Sequence, residues 1–373
     1  MPLNMRCALT GFYGDGSGMG EAARRLLAAF AHLDDVEVGP AVLDGNKRIV
    51  SDGGWRVPLY PTLKMFLEHD LSGPADVHLI HCAAMDFDRF RPPFMTAKRI
   101  GYAVVETDRL HPKSIEGAKT VDEIWVPSEH NRQVFEQAGF KATVIPYPLV
   151  MPPYVDERDI PNRQAISGVF ENTYCMYAVT TFQERKNVLG LITAFLHAFR
   201  VNDDVALLIK VAGVDAQQAI KDAAMFIGGV CMDMQIEDPP KIRLLGGEWT
   251  EPMMWGLHAR GDCYVSLARG EAFGIPLLDA AAMGNQVMAV KYGGHVDFLP
   301  PENTHWVPYR LTPVLQRYPH FNGYMLWADA DVLEAAGMMK RLAQAGRKPK
   351  ARPEMSAFST LHVAELLRRA LHE

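Results

Sequence analysis

The chain has few cysteines and no arrangement of them that does chemistry. Five of its 373 residues are cysteine, at positions 7, 82, 175, 231 and 263, and none forms a Cys-x-x-Cys pair. That excludes a disulfide-stapled scaffold and a cysteine zinc site, and suits reduced, buried thiols. Long hydrophobic runs are missing too. None reaches the roughly 18–20 residues that span a bilayer, so no transmembrane segment is expected. The first residues, MPLNMRCALTGFYG, lack the charged-then-apolar layout of a secretory signal, and the cytoplasm is the expected compartment. Nor is there an excess of positive charge. Lys and Arg number 38 against 44 Asp and Glu, a formal net charge of −6, which leaves no global footprint of a nucleic-acid protein.

What is present is an alternation. Short apolar, β-branched runs exchange with longer helical patterns, the signature of parallel sheets with crossover helices. In the first half the strand candidates are MRCALTGFY, VEVGPAVL, DVHLIHCA, RIGYAVVE, EIWVPS and ATVIPY. EAARRLLAAFAHL and SEHNRQVFEQAGF carry helical spacing, the second with Ser128 as N-cap and Gly139 as terminator. A proline- and charge-rich stretch, PYPLVMPPYVDERDIPNRQ, then breaks both element types and reads as a linker. The pattern restarts with YCMYAVTT, NVLGLITAFLHAFR, ALLIKVAG, IRLLGG, EPMMWGLHAR, DCYVSLARG, a helix after Pro276, and QVMAV. The expected fold class is α/β, two Rossmann-like domains facing across a cleft. The expected boundaries are 1–150 for the first domain, 151–165 for the linker, 166–345 for the second domain, and 346–373 for a basic tether and a last helix.

In open α/β sheets ligands collect at the carboxyl ends of the strands, so the informative motifs are those just after strands. GFYGDGSGMG follows the first strand and opens the first helix. Its glycines at 14, 16, 18 and 20 let a backbone approach an anion, while the spacing fits neither the dinucleotide fingerprint nor a P-loop. TTFQERKNV places Arg185 and Lys186 between a strand and a helix start at Asn187, a phosphate clamp unless both are merely solvated. EAFGIPLLD puts Glu271 at the carboxyl end of a strand and Asp279 about one turn into the helix begun by Pro276. Carboxylates there accept hydrogen bonds from sugar or ribose hydroxyls, and the amides of Phe273 and Gly274 face an anion.

Together these motifs resemble the retaining GT-B glycosyltransferases of the Glu-x7-Glu group. EAFGIPLLD looks like the acidic motif, QERKN like its Arg-Lys clamp, GDGSGMG like its glycine loop, and GYAVVETDRLHP with VDEIWVPSEHNRQVFEQAG like its first-domain segment. The resemblance covers most of the chain in the right order. It implies a GT-B fold whose C-terminal helix crosses back to the first domain. It also implies a hexosyltransferase using a UDP- or GDP-linked sugar, with no resident cofactor, no metal and a front-face mechanism. By resemblance Glu271 holds the donor sugar, Asp279 the ribose, and Arg185 and Lys186 the diphosphate, with Gly16, Gly18, Phe273 and Gly274 assisting. Asp279 departs from the usual Glu. The group also places a histidine at a first-domain strand end; His81 is the better placed of His78 and His81, with a satisfied core histidine as the alternative.

The acceptor side is less sharply marked. Glu106, Asp108, Arg89 and Arg91 are its candidates, and Asp86-x-Asp88 lies in that half. Two basic stretches, RFRPPFMTAKR and MMKRLAQAGRKPKAR, could follow a phosphate backbone or an anionic membrane surface, or be ordinary solvated charge. A saccharide or lipid-linked glycan acceptor comes first, with peripheral membrane contact. Transfer to a modified, extruded DNA base is an alternative, and so is a catalytically inactive GT-B-like binding protein. An inverting enzyme and a dinucleotide-dependent oxidoreductase complete the set.

Overall fold

A computed structural model describes residues 5–14, 16–43, 47–48, 66, 71, 73–90, 96–159, 173–212, 216–247, 249–315 and 321–373. Arg91 and the end of the expected linker lie outside these residues. The chain divides into two compact units. The first comprises Met1–Val150, Pro313–Leu326 and Met355–Glu373; the second comprises Met151–Thr312 and Trp327–Glu354.

The first unit is built on strands β1 (Met5–Thr10), β2 (Val36–Pro40), β3 (Ala75–His81), β4 (Thr96–Tyr102), β5 (Glu123–Val126) and β6 (Ala142–Val144). All pair in parallel in the order β2-β1-β3-β4-β5-β6. Helix α1 (Gly18–Phe30) starts where Ser17 Oγ accepts from the Gly20 amide and buries Ala22, Ala23, Leu26, Leu27 and Phe30. Helices α2 (Pro112–Ala118) and α3 (Glu129–Gln137) follow. Ser128 caps α3 as its position predicts, and Gly139 at φ +89° takes the left-handed conformation that ends it. Ile80, Phe87, Ile124, Val126 and Phe135 form the core on that side.

The second unit repeats the plan with β7 (Tyr174–Thr180), α4 (Val188–Ala198), β8 (Val205–Val211), α5 (Ala216–Asp233), β9 (Lys241–Leu245) and α6 (Glu251–Arg260). It continues with β10 (Cys263–Ser266), α7 (Ile275–Ala282), β11 (Gln286–Val290), β12 (Thr304–Val307), β13 (Tyr309–Pro313), β14 (Leu326–Ala330) and α8 (Val332–Ala345). Six strands pair in parallel as β9-β8-β7-β10-β11-β12. The chain leaves β7 towards β8 and returns to place β10 on its other side. Between β7 and β10 lies the point where the winding reverses, and the loops leaving these two strands diverge to leave a crevice. In the first unit the reversal lies between β1 and β3.

The last helix, α9 (Thr360–His372), belongs to the first unit. It buries Val363, Leu367 and Leu371, packs on α1, and ties Arg368 to Asp34 and Asp35 at 3.1 and 3.2 Å. In the basic stretch before it Lys340, Arg341 and Lys348 are exposed, while Arg347 and Lys350 are tied to protein oxygens. Met338–Ala345 completes α8, and Gly346 at φ +72° ends it. Arg347 then bonds Asp262 and the Thr173 carbonyl, and Lys350 donates to the His258 and Ala259 carbonyls at the end of α6. Burial pushes the Lys350 ammonium down to about 8. Arg347 and Lys350 thus fasten the segment to the second unit from its surface. In the earlier stretch Arg99 donates to the Thr120 and Phe87 carbonyls and Lys98 pairs with Glu123 at 2.6 Å, while Arg89 is exposed.

Candidate active site

The second unit brings three of the expected residues together at its topological switch. After β7 the chain makes a 3₁₀ turn over Glu184–Lys186, and Asn187 follows in the left-handed region, φ 48° and ψ 41°. That turn presents Arg185 and Lys186 just before the first turn of α4. After β10, Glu271 comes up from the neighbouring strand. Lys186 Nζ lies 2.6 and 2.9 Å from the two Glu271 oxygens, and Arg185 Nη1 lies 3.6 Å from Oε2. Arg185 also donates to the Gly270 carbonyl at 2.7 Å. The side chains are 21%, 14% and 12% exposed for Lys186, Arg185 and Glu271. Such pairing outlasts solvent screening far better than a surface ion pair.

Burial alone would raise the Glu271 pKa. The Lys186 and Arg185 charges overcome it and hold the carboxyl below its ordinary value. The crevice beside the pair is lined by Thr180, Lys186, Tyr264, Ser266 and Glu271 among others. Burial pushes the Tyr264 hydroxyl well up, so the phenol stays protonated, and its oxygen donates to the Val179 carbonyl at 3.1 Å.

The loop after Glu271 is held from below. Gly294 N–H donates to the Glu271 carbonyl at 2.8 Å, and Gly293 has φ +113°, where an added Cβ would overlap that same oxygen. His295 is buried, and its Nε2 donates to the Val290 carbonyl at 2.6 Å. Gly274 takes φ +93° to start α7, with Pro276 in the first turn as expected. Phe273 is buried against Phe298, ring centroids 5.0 Å apart. Asp279 is buried on α7, and both acids act electrostatically on Tyr264. Two cations beside a helix N-terminus can neutralise an oxyanion, and a fixed carboxylate can accept from hydroxyls.

The expected residues of the first unit are placed differently. Gly16 and Gly18 are exposed at the start of α1, with open space above Gly18. His81 is a core residue: 1% exposed, with Nε2 2.8 Å from the Tyr147 hydroxyl and its ring between Tyr102 and Tyr147. His78 is equally buried and bonds Thr10 Oγ1 at 2.8 Å. Asp108 accepts from the Leu326 amide at 2.6 Å and pairs with Arg109. Glu106 is half-buried, and Arg89 is exposed and paired with Asp86 at 2.9 Å.

Burial holds both histidines neutral, from an ordinary 6.5 down to about 3. The unfolded chain therefore takes up these protons below about 6.5, while the folded chain resists until about 3. Stability is expected to fall as pH drops through that window. Denaturant midpoints at pH 7 and pH 4.5 test this, and His81→Gln should flatten the difference. An unchanged midpoint would contradict it.

No protein-family model and no curated protein sequence matches the chain. Solved structures do. Anabaena Alr3699/HepE, in complex with UDP and glucose, superposes with a TM-score of 0.62 at 15% identity, covering 99% of this chain and 100% of that one. The chain has the GT-B fold. The lipopolysaccharide outer core galactosyltransferase WaaB, in its apo form, gives a TM-score of 0.61 at 12% identity, covering 99% of each chain. Trehalose-6-phosphate synthase OtsA gives 0.62 at 10% identity, again covering 99% of each. At such identities the likeness carries the GT-B fold and nothing finer. Among the described residues no helix is long and apolar enough to cross a membrane.

Proposed function

We propose that the chain is a hexosyltransferase that moves a sugar from a nucleoside-diphosphate donor to a hydroxyl of a saccharide acceptor, free or lipid-linked. The observation that carries this reading is the Arg185–Lys186–Glu271 constellation at the switch point of the second sheet. In this reading the two cations and the N-terminus of α4 take up charge that develops on the departing diphosphate. They take the place a divalent metal would otherwise fill. The Glu271 carboxylate accepts from donor-sugar hydroxyls, and the fixed loop at 273–274 offers its amides. Asp279 takes the ribose from one helical turn further on. UDP is the first base to test, because HepE is described with UDP and with UDP-glucose bound.

Retention of anomeric configuration, with the leaving phosphate oxygen accepting the acceptor proton, rests on the resemblance of EAFGIPLLD to the Glu-x7-Glu motif. Product NMR decides it. A modified DNA base is the weaker acceptor, since the net charge is −6 and Arg99, Arg347 and Lys350 are engaged with protein carbonyls. A reducing, cytoplasmic setting fits five buried, unpaired cysteines.

The test is release of nucleoside diphosphate from a panel of UDP-, GDP-, dTDP- and ADP-hexoses. The wild type is expected to turn over one base class, and Glu271→Ala to abolish that turnover. A wild type that binds but never releases product would instead make it an inactive binding protein.

A further inference from the structure

The turn that aims Arg185 and Lys186 is itself held by a residue that no motif marks. Arg269 lies two positions before Glu271. Its main-chain N–H donates to the Arg185 carbonyl at 2.7 Å, and its Nη1 donates to the Glu184 carbonyl at 2.6 Å. Main chain and side chain thus grip consecutive carbonyls of the same 3₁₀ turn. Arg269 is anchored from the other side as well. Its Nε donates to Asp329 Oδ1 at 2.9 Å, its guanidinium lies 5.7 Å from the Trp327 ring centroid, and its carbonyl accepts from the Ala328 amide at 2.8 Å. Arg310 approaches the other Asp329 oxygen at 3.9 Å. A planar guanidinium with a fixed fork of donors suits a bracket between two backbone segments in a way that a lysine does not.

The geometry points to Arg269 as a positioning residue for the diphosphate clamp, with Asp329 and Trp327 of β14 as its foundation. The rest of the turn is fixed by its own Asn187 N–H to Glu184 carbonyl bond and by the clamp side chains on Gly270 and Glu271, and Arg269 joins it to β14. The segment is one 3₁₀ turn long, and it is followed by a non-glycine residue in the left-handed region, which persists only where surrounding structure over-determines it. Without the Arg269 side chain, the Glu184 carbonyl loses its charged donor and the 184–187 turn can relax away from Glu271. The cations would then reach a diphosphate at greater distance and with more freedom, and loss of preorganisation appears as lost affinity. This inference rests on the donor-site reading above.

Its test uses the full chain and calorimetric titration with the tightest-binding nucleoside diphosphate of UDP, GDP and ADP, and with the matching nucleoside. Arg269→Met is expected to weaken diphosphate binding by about tenfold and to leave nucleoside binding unchanged. Lys186→Ala should weaken it at least as much, and the double variant should lose less than the product of the two single effects, because the bracket acts through the clamp that Lys186 shares with Arg185. Asp329→Asn, a milder change, should show the same pattern in smaller degree and serves if Arg269→Met does not fold. Independent, multiplying effects of Arg269→Met and Lys186→Ala would overturn the inference, as would wild-type affinity in a folded Arg269→Met. Failure of the wild type to bind any nucleoside diphosphate would overturn the donor-site reading itself, and the bracket with it.

Discussion

Lys186→Ala is expected to lower turnover by about 10²–10³, the effect of removing one preorganised charge-stabilising donor from an active site. Lys186 is the closer of the two cations on Glu271, bonding both carboxylate oxygens where Arg185 stands 3.6 Å from one. Its loss acts twice. The diphosphate loses a counter-charge as it departs, and Glu271 loses the partner that opposes its burial. With the ammonium gone, desolvation regains ground and the Glu271 pKa rises. The acid limb of the pH–rate profile should therefore move to higher pH. In the wild type the lowered carboxyl contributes stability at neutral pH that is lost as pH falls through its folded pKa; in the variant, with the folded pKa raised, that contribution and its loss in acid both shrink. Lys186→Arg should recover part of the rate, since charge returns without the same geometry. Rate and acid limb both unchanged in Lys186→Ala would contradict the role.

Gly293→Ala should be the most damaging single methyl added near the site. A Cβ at 293 overlaps the Glu271 carbonyl oxygen, a backbone atom that cannot swing aside, and φ +113° is a conformation L side chains rarely adopt. Overpacking and backbone strain each cost about 1–3 kcal/mol. Relaxation would break the Gly294 N–H to Glu271 carbonyl bond and shift the acid relative to Lys186. A lower melting temperature and a loss of turnover at saturating donor are expected together. Gly228→Ala is the control, since a Cβ there meets nothing within 4 Å and lies mid-helix in α5, where Ala outranks Gly by about 1 kcal/mol. That variant should melt no lower than wild type. A Gly293→Ala protein with wild-type stability and rate would show that the loop adapts.

Much of this was legible in the sequence because strand-end loops inherit their position from the sheet. Once YCMYAVTT and DCYVSLARG read as buried parallel strands, the residues just after them had to emerge at one end, and Arg185, Lys186 and Glu271 do. Ser128, Gly139 and Pro276 were equally readable, since capping and turn chemistry are local. Helix α5 escaped the reading: it buries only Ala216, Ala223 and Cys231 fully and carries Gly228–Gly229 mid-course, which blurs its apolar stripe. In MMKRLAQAGRKPKAR, composition suggested a charged surface, and Lys340, Arg341 and Lys348 are exposed, but Arg347 and Lys350 also bond distant protein oxygens. The destinations of Arg347 and Lys350 lie 85 or more residues away, beyond any local pattern. The same distance hid Arg269, whose partners Glu184 and Asp329 are 85 and 60 residues off. His81 illustrates the limit for a single side chain. Strand alternation could offer it a face, while only the packed Tyr102 and Tyr147 decide that the face is core.

In the proposed function Arg185, Lys186 and Glu271 form the diphosphate end of a nucleotide-sugar site. Calorimetric titration of UDP and GDP into the wild type and into Lys186→Ala tests it most directly. Saturable binding of one nucleoside diphosphate to the wild type is expected, weakened about tenfold or more in the variant, as when a charge-assisted contact is removed. Equal affinity in the two proteins, or no binding of either nucleotide to the wild type, would contradict it.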